Sequence, residues 1–349
     1  MISAHDFRRT DAKRPCRPPM KWLIRFVIVA LLAAIAASGA ALWWLNQPLR
    51  LAADTVELSI EPGTPPREIA LGWVQAGVQT SPVLLYEWFR WSGQARRIRA
   101  GSYEIGPGTT PRALLEKMVR GDETLATVRL IDGWTFRQFR AELAKAEALK
   151  PTTAGMSDAE VMVALGQPGL SPEGRFHPDT YAYSKGSADL AVLKRAFRAM
   201  ELRLEAAWAQ RTSDTPLKSA DEALVLASIV EKETGAAGER GRVAQVFVNR
   251  LRAGMPLQTD PTLIYGLGES FDGNLRKRDL LADGPYNTYI RAGLPPTPIA
   301  MPGHASLLAA VRPDAGKALY FVSRGDGTSE FSETLAEHNR AVNKYQRGR

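Results

Sequence analysis

The longest run of hydrophobic positions lies close to the N-terminus. Residues 26–45, FVIVALLAAIAASGAALWWL, contain no charged side chain. An α-helix of about twenty apolar residues is long enough to cross a bilayer. The sequence therefore predicts a single transmembrane helix over residues 26–45.

The charges that precede this helix predict its orientation. Two acidic residues, Asp6 and Asp11, stand there against seven basic ones: Arg8, Arg9, Lys13, Arg14, Arg17, Lys21 and Arg25. Such an excess of positive charge keeps a flanking segment in the cytoplasm, and Trp43 and Trp44 suit an interfacial belt on the far side. We expect a cytoplasmic tail over residues 1–25 and, in a bacterial cell, a periplasmic location for everything after the helix. A signal peptide cleaved near AASGA is the alternative, but its apolar core would be unusually long.

After a short polar linker predicted over residues 46–54, a strand-and-helix pattern recurs. LSIEPGTPPREIA (58–70) and YEIGPGTTPRALL (103–115) each give a strand, a turn with glycine, a threonine that can cap, and an amphipathic helix. VRLIDGWTFRQFR (128–140) is a weaker third copy. One strand–helix unit cannot bury its own apolar face, so we expect the copies to pack on each other. This α/β repeat module, over residues 55–145, resembles the LysM-like domains that bind glycan; a plain α+β spacer is the alternative.

Residues 146–215 have the pattern of a helical connecting region, with segments such as SDAEVMVALG. Within this region, EGRFHPDTY (173–181) is rich in turn formers and aromatics. Asp179 is a candidate catalytic carboxylate, but a Pro-Asp-Thr sequence also commonly begins a helix, with the aspartate as its N-cap. We favour the structural role.

DEALVLASIVEKETG (221–235) has the pattern of one helix that Gly235 closes. At about 100° per residue, Glu231 and Glu233 point to nearly opposite sides of this helix. Glu233 shares its face with three apolar residues: Leu226, Ile229 and Val230. Glu231 shares its face with a smaller and less apolar set: Leu224, Ala227 and Ser228.

The more hydrophobic face therefore carries Glu233. Burial raises the pKa of a carboxyl group, and a glutamate that keeps its proton near neutral pH can donate it to a leaving oxygen. Lys232 lies off this face and is expected in solvent. The alternative is that Glu231 or Glu233 forms a surface ion pair with Arg240 or Arg242, and this stretch alone does not decide between the two interpretations.

The next segment favours a carbohydrate cleft. RVAQVFVNRLRAGMPLQTDPTLIYGLG (242–268) predicts a second amphipathic helix, a stop at Gly254 and a polar QTDPT loop. Amide and carboxylate groups suit sugar hydroxyls, and flat aromatic rings suit sugar faces. The candidate substrate-binding residues are Gln258, Thr259, Asp260, Tyr265, Tyr286 and Asn287.

Composition narrows the classes of partner. The 349 residues carry a formal net charge of +8, and 45% of them are hydrophobic, so most of the chain is expected to fold. The sequence has no zinc-finger spacing and no long Lys/Arg block, and we expect no nucleic-acid partner. The single cysteine, Cys16, excludes a disulfide framework within the chain, and the four histidines are scattered, which argues against a metal site: His5, His177, His304 and His338.

Seven segments, in this order, resemble the YceG-like family of endolytic murein transglycosylases: ASIVEKE, VFVNRL, LQTDPT-x-IYG, YNTY, GLPP-x-PI-x-x-PG, ALYFV and EHN. The similarity is densest from Leu224 to Asn339 and, with the anchor and the repeats, covers most of the chain. The fold class that follows is α+β: one transmembrane helix, a LysM-like α/β repeat module, and a C-terminal α+β catalytic domain over residues 216–349.

The resemblance implies an activity and its catalytic residue. The family's catalytic glutamate is the second of the E-K-E pair, which is Glu233, the residue that the helical-face argument also selects. The implied reaction cleaves the β-1,4 bond between N-acetylmuramic acid and N-acetylglucosamine within a strand and leaves 1,6-anhydro ends. It requires no cofactor and no metal. The implied partners are peptidoglycan strands, peptidoglycan synthases and the inner membrane.

The chain departs from the family pattern at two places, and these put rim contacts in doubt. His177 replaces an aromatic residue before PDTY, and Ser329-Glu330-Phe331 stands where H-x-F is usual. Three other functions are alternatives: a lysozyme-like muramidase in which Asp260 activates water, a non-catalytic wall-binding scaffold, and an anchored nucleic-acid binder.

Overall fold

The computed structural model describes residues 20–348, which form two units that divide between Glu123 and Thr124. Helices and strands are mixed in both, which confirms the α+β class. Most of the predicted cytoplasmic tail, with Cys16, lies outside the described residues.

The first unit begins with the apolar helix. Its elements are α1 (Met20–Leu45), β1 (Arg50–Leu51), β2 (Val56–Ile60), α2 (Pro66–Ala76), β3 (Val78–Gln79), α3 (Pro82–Trp91), β4 (Gly101–Ile105) and α4 (Pro111–Arg120). Residues 24–45 of α1 are long and apolar enough to span a membrane, which fits the predicted anchor. The strands pair antiparallel, β1 with β3 and β2 with β4. The core between the sheets and helices is rich in large side chains such as Trp73, Phe89 and Tyr103.

The polar linker predicted over residues 46–54 is wrong in part. Leu45 and Leu49 are buried, and Leu49 joins the core of the first unit. The amide of Leu49 donates to the carbonyl of Thr109 at 2.8 Å, and Arg50–Leu51 forms β1. Because these backbone and side-chain contacts fix the segment, α1 runs directly into the folded unit.

Each of the three sequence copies forms the predicted strand, turn and helix. The first two copies pack together, because β2 and β4 pair along their full length from Val56 opposite Ile105 to Ile60 opposite Gly101. The third copy belongs to the second unit, where its strand pairs with a strand over residues 180–184. The expectation that all three copies pack on each other is therefore wrong for the third.

The predicted threonine caps are present in two copies. Thr110 accepts a hydrogen bond from the amide of Ala113, and Thr135 forms a capping box with Gln138. In the first copy the N-cap is Pro65, which makes no side-chain cap, and the Thr64 hydroxyl donates to the carbonyl of Glu61 at 2.8 Å. Thr64 closes the turn instead of capping the helix.

The second unit contains the remaining elements. Its strands are β5 (Leu125–Arg129), β6 (Thr180–Ser184), β7 (Tyr320–Ser323) and β8 (Ser329–Ser332). Its helices are α5 (Phe136–Lys145), α6 (Asp158–Ala164), α7 (Asp189–Ala209), α8 (Ala220–Glu233), α9 (Arg240–Arg252), α10 (Asp260–Leu267), α11 (Lys277–Leu281), α12 (His304–Val311) and α13 (Leu335–Tyr345). The strands pair antiparallel, β5 with β6 and β7 with β8. The described part of the unit has two hydrophobic cores. Helices α5 and α6 and the β5–β6 pair pack around one, and α8, α9 and α12 pack around the other.

The predicted helix start at Pro-Asp-Thr is wrong. Thr180 begins β6, and the carboxylate of Asp179 accepts a hydrogen bond from the amide of Thr180 at 2.8 Å. Asp179 also lies 3.9 Å from the guanidinium of Arg203. The contacts of Asp179 are structural, as expected, but Asp179 is the last residue of a loop before a strand and not the first residue of a helix.

Candidate active site

The helix α8 carries Glu233 at its last position. Ser219 caps the start of α8 by accepting from the amide of Glu222, and residues 223–230 are all buried. The helix ends because Thr234 is extended and its hydroxyl donates to the carbonyl of Val230 at 2.7 Å. Gly235 does not adopt the left-handed conformation of a helix-closing glycine, so the predicted stop at Gly235 is wrong.

The carboxyl group of Glu233 is poorly hydrated and accepts one protein hydrogen bond. Burial raises the pKa of Glu233, and the nearby negative charge of Asp260 raises it further. The hydroxyl of Thr259 donates to Oε1 of Glu233 and opposes this rise. The net direction is upward, which favours a protonated side chain.

Buried threonines hold Thr259 in position. The amide of Thr259 donates to Oγ1 of Thr288 at 3.2 Å, and Thr288 Oγ1 lies 2.8 Å from Oγ1 of Thr262. Thr262 in turn donates to the carbonyl of Thr259 at 2.8 Å. Because all three residues are buried, the Thr259 hydroxyl is presented to Glu233 in a fixed direction.

Glu233 opens onto a cleft of about 840 Å³. The predicted residues Gln258, Thr259 and Asp260 line the same cleft. Gln258 has a positive φ of 52°, and its amide donates to the carbonyl of Thr288 at 2.9 Å. The cleft is of the size that binds small molecules and saccharides, and it offers hydroxyl, amide and carboxylate groups beside the raised-pKa glutamate.

The walls of the cleft contain residues that the sequence did not single out as substrate contacts. Arg250 is buried beneath the cleft; its Nε donates to the carbonyl of Leu319 at 2.7 Å and its Nη1 donates to Oε1 of Gln258 at 3.0 Å. The guanidinium of Arg250 lies 5.0 Å from the ring of Tyr320, which stacks on His338 at 5.2 Å. These residues come from α9, β7 and α13, and only their positions in the VFVNRL, ALYFV and EHN motifs pointed to them.

Tyr289 is a further lining residue, and its hydroxyl donates to Oδ1 of Asp260. Burial and this carboxylate raise the pKa of Tyr289, so the phenol stays protonated as a donor. Asp260 therefore lines the cleft with one carboxylate oxygen, Oδ1, already hydrogen-bonded to the protein.

The other three predicted substrate-binding residues do not line this cleft. Asn287 is buried, and its Nδ2 donates to the carbonyl of Ala282 at 2.7 Å and to two neighbouring carbonyls. Tyr286 shares a hydrogen bond of 2.7 Å with Thr297, and its ring packs against that of Tyr265 at 5.0 Å. Tyr265 donates to Glu173 at 3.2 Å. Their polar groups hold loops and helices together.

Glu231 lies on the opposite side of α8 and is fully engaged with the protein. Its side chain is 8% exposed, lies 3.4 Å from Arg240, and accepts from the amide of Gly303 at 2.9 Å. The ion pair considered for the two glutamates is thus present at Glu231, but it is buried and not a surface pair. Lys232 is exposed and donates to the carbonyl of Gly133 at 3.3 Å.

The two departures from the family pattern have different surroundings. His177 is buried, and burial lowers the pKa of its imidazole to about 4, so it is neutral at physiological pH. Ser329 lines the cleft, and its amide donates to Glu239 at 2.9 Å. Only the Ser329 departure therefore changes the wall beside Glu233.

Comparison with known proteins decides the family. The model of the YceG-like family matches residues 58–344, which is most of the chain. The chain belongs to the YceG-like family. This assignment confirms the resemblance that the seven motifs predicted.

Individual relatives agree with membership of the YceG-like family. An endolytic murein transglycosylase of Bacillus subtilis (strain 168) is 30% identical over 309 residues, which cover 83% of this chain and 85% of the relative. An endolytic murein transglycosylase of Streptococcus pneumoniae serotype 2 is 23% identical over 320 residues, which cover 82% of this chain and 58% of that longer protein.

A solved structure shares the fold. The crystal structure of a YceG-like protein from Listeria monocytogenes aligns with a TM-score of 0.50 and 27% sequence identity. The alignment covers 83% of this chain and 99% of the Listeria chain. The arrangement of elements described above is therefore that of a YceG-like protein.

Proposed function

We propose that this protein is a membrane-anchored endolytic murein transglycosylase. Its substrate is peptidoglycan, and it acts as a lyase on the bond between N-acetylmuramic acid and N-acetylglucosamine. Membership of the YceG-like family supports the reaction class. The single observation that carries the chemistry is the poorly hydrated carboxyl group of Glu233, with its raised pKa, on the wall of a cleft of about 840 Å³.

In the proposed first step, Glu233 donates its proton to the glycosidic oxygen. The bond between the muramoyl anomeric carbon and this oxygen breaks, and the oxygen leaves as the 4-hydroxyl of N-acetylglucosamine. Positive charge develops at the anomeric carbon. A carboxylic acid kept protonated by burial is suited to this task near neutral pH.

In the second step, the ionised Glu233 accepts the proton of the muramoyl 6-hydroxyl. The oxygen of that hydroxyl bonds to the anomeric carbon and closes a 1,6-anhydro ring, and Glu233 regains its proton. The nucleophile belongs to the substrate, so the step has the advantage of an intramolecular reaction. Neither a second catalytic carboxylate nor a cofactor is required, unlike in a water-dependent glycosidase.

The cleft residues supply the contacts to sugar. Gln258, Thr259 and Asp260 are placed to hydrogen-bond hydroxyl and acetamido groups, and Tyr289 holds Asp260 in orientation. Tyr265, Tyr286 and Asn287 act indirectly, through the loops that they fix. In the first unit, the paired repeats form a LysM-like surface that binds glycan.

A muramidase in which Asp260 activates water is the second candidate. The Tyr289 hydroxyl donates to Oδ1 of Asp260 and so occupies one of the two oxygens that could accept a proton from water. Digestion of purified murein followed by mass spectrometry separates the two reactions. The proposal expects 1,6-anhydro ends, which are one water lighter than reducing ends; reducing ends alone would identify a hydrolase.

The location of the site suggests its role in the cell. With α1 in the inner membrane and both units in the periplasm, the cleft lies near the place where peptidoglycan synthases release new strands. Cutting within these strands would end their elongation and set their length. Cells without the protein are then expected to make longer strands.

A further inference from the structure

The helix α3 presents an apolar face that the first unit leaves uncovered. Leu85 and Phe89 point into the core. Val83, Leu84 and Trp91 point outward, and Leu84 is 51% exposed and Trp91 79% exposed. Positions 84 and 91 are seven residues apart, which is about two turns, and Val83 adjoins Leu84. The three side chains therefore lie on one side of the helix. Uncovered apolar faces of this kind mark contacts with proteins or membranes.

The start of α3 lies close to the end of the membrane helix. The chain leaves α1 at Leu45 and forms β1 five residues later, where Arg50 pairs with Gln79 of β3. The helix α3 begins at Pro82, three residues beyond Gln79. Only short segments therefore separate Val83 and Leu84 from the point at which the chain emerges from the span.

A second series of contacts places the middle of α3 in the same neighbourhood. The amide of Leu49 donates to the carbonyl of Thr109 at 2.8 Å. Two residues after Thr109, the carbonyl of Pro111 accepts from the indole nitrogen of Trp88 at 3.0 Å. Trp44 of α1 packs against the core that also contacts Trp88. These contacts connect α3 to the last turn of α1.

The chemistry of the face suits the lipid headgroup region. Trp91 donates its indole hydrogen to Glu87 at 3.0 Å, and Arg90 lies 3.2 Å from the other oxygen of Glu87. The one acidic charge on the face is thus neutralised, and the indole nitrogen has an acceptor. Tryptophan, aliphatic side chains and arginine are the residues that lie at membrane interfaces. Arg50, which is exposed, adds a positive charge near the start of α3.

We propose that α3 is a second membrane contact, which lies in the interface beside α1 with Val83, Leu84 and Trp91 in the outer part of the bilayer. Membrane-surface helices bury an apolar face at this depth and keep their polar face in water. The contact fixes the orientation of the first unit at the bilayer. The inference rests on α1 crossing the membrane and is independent of the chemistry proposed for Glu233.

Site-directed spin labelling of the full chain tests this contact. In a Cys16→Ser background, Leu84→Cys and Trp91→Cys receive the label, and the protein is reconstituted into vesicles of phosphatidylcholine and phosphatidylglycerol. Leu32→Cys, in the middle of α1, reports the bilayer interior. Glu68→Cys is the matched control: it is exposed near the start of α2, roughly 12 Å from the end of α2 that leads to β3. Thermal unfolding shows that each labelled protein remains folded.

Accessibility to oxygen, which partitions into lipid, is compared with accessibility to a water-soluble nickel chelate. We expect labels at positions 84 and 91 to favour oxygen, as position 32 does, and the label at 68 to favour the chelate. Labels at 84 and 91 that resemble position 68 would overturn the proposal. Labels shielded from both reagents would also overturn it, because a second protein copy would then cover the face. A label at position 32 in water would contradict the anchor itself.

Discussion

The hydroxyl of Thr259 and the burial of Glu233 act on the same proton in opposite directions. Burial disfavours the carboxylate and raises the pKa of Glu233, whereas the hydrogen bond from Thr259 stabilises the carboxylate and lowers it. A residue that must first donate and then accept a proton works best when its pKa is near the operating pH. Thr259 therefore keeps the pKa of Glu233 from rising too far.

Replacing Thr259 with valine should shift the pH dependence of activity. Without the hydroxyl, the pKa of Glu233 rises, so the loss of activity at alkaline pH moves to higher pH and the maximal rate falls. Thr259→Ser keeps the donor and should retain the wild-type profile. The measurement is the rate of murein digestion across pH, and identical profiles for Thr259→Val and wild type would contradict this role.

Glu173 is a second buried carboxyl group, and its role is in stability. It accepts from the amide of Phe136 at 3.1 Å, at the start of α5, and from the hydroxyl of Tyr265 on α10. Burial raises its pKa from 4.5 to about 7. The folded state therefore binds this proton more tightly than the unfolded state does.

The contribution of Glu173 should be fully present below pH 4.5 and lost as pH rises through about 7. The loss amounts to about 3 kcal/mol of unfolding free energy, since one pKa unit corresponds to about 1.4 kcal/mol. Glu173→Gln stays neutral and should remove this dependence. Thermal unfolding of both proteins across this pH range measures it; parallel curves would show that Glu173 does not titrate in the folded state.

At the scale of elements, periodicity predicted α8 and the side of it that carries Glu233. It could not predict how α8 ends, because Thr234 stops the helix through its own backbone conformation and side-chain hydrogen bond. It also failed for Glu231, which is buried through Arg240 and Gly303, residues that come from other elements. The sequence repeats predicted three strand–helix units. They did not reveal that β5, the strand of the third unit, pairs with β6.

The sequence predicted those cleft residues that adjoin one another in the chain. Gln258, Thr259 and Asp260 adjoin in sequence and meet Glu233 in the cleft. Arg250, Tyr320 and His338 come from three separate elements, and only tertiary packing brings them together. Asn287 was predicted to bind substrate because the segment around it is rich in aromatic and amide side chains. Composition does not distinguish a residue of the cleft wall from a buried residue that holds a loop by hydrogen bonds.

The end of α1 is expected to stabilise the first unit as well as to anchor it. Leu45 is 7% exposed, whereas Leu42, one turn earlier on the same helix, is 56% exposed. Leu45→Ala should lower the unfolding free energy of the first unit by about 2 kcal/mol or more, as other buried leucines do. Leu42→Ala, the matched control, should change it little. Thermal unfolding in detergent measures both, and equal effects would mean that α1 is only a tether.

At the scale of the whole molecule, we propose that the anchor determines which glycan strands the site meets. A chain in which a cleavable secretory leader replaces residues 1–42 keeps Trp44 and Leu45 for the first unit but is released from the membrane. We expect its activity on purified murein to match that of the full chain. Cells that make only this released chain should have glycan strands as long as those of cells without the protein. Strand-length analysis decides; normal lengths would show that the anchor is dispensable for this role.

The most direct measurement is the release of 1,6-anhydro ends from purified murein by the Glu233→Gln protein. Glutamine keeps the shape of the side chain but cannot donate or recover the proton. We predict a fall in the initial rate of about a hundredfold or more relative to the unmodified protein. The variant should still unfold at a similar temperature. A folded Glu233→Gln protein that releases anhydro ends at close to the original rate would contradict the account.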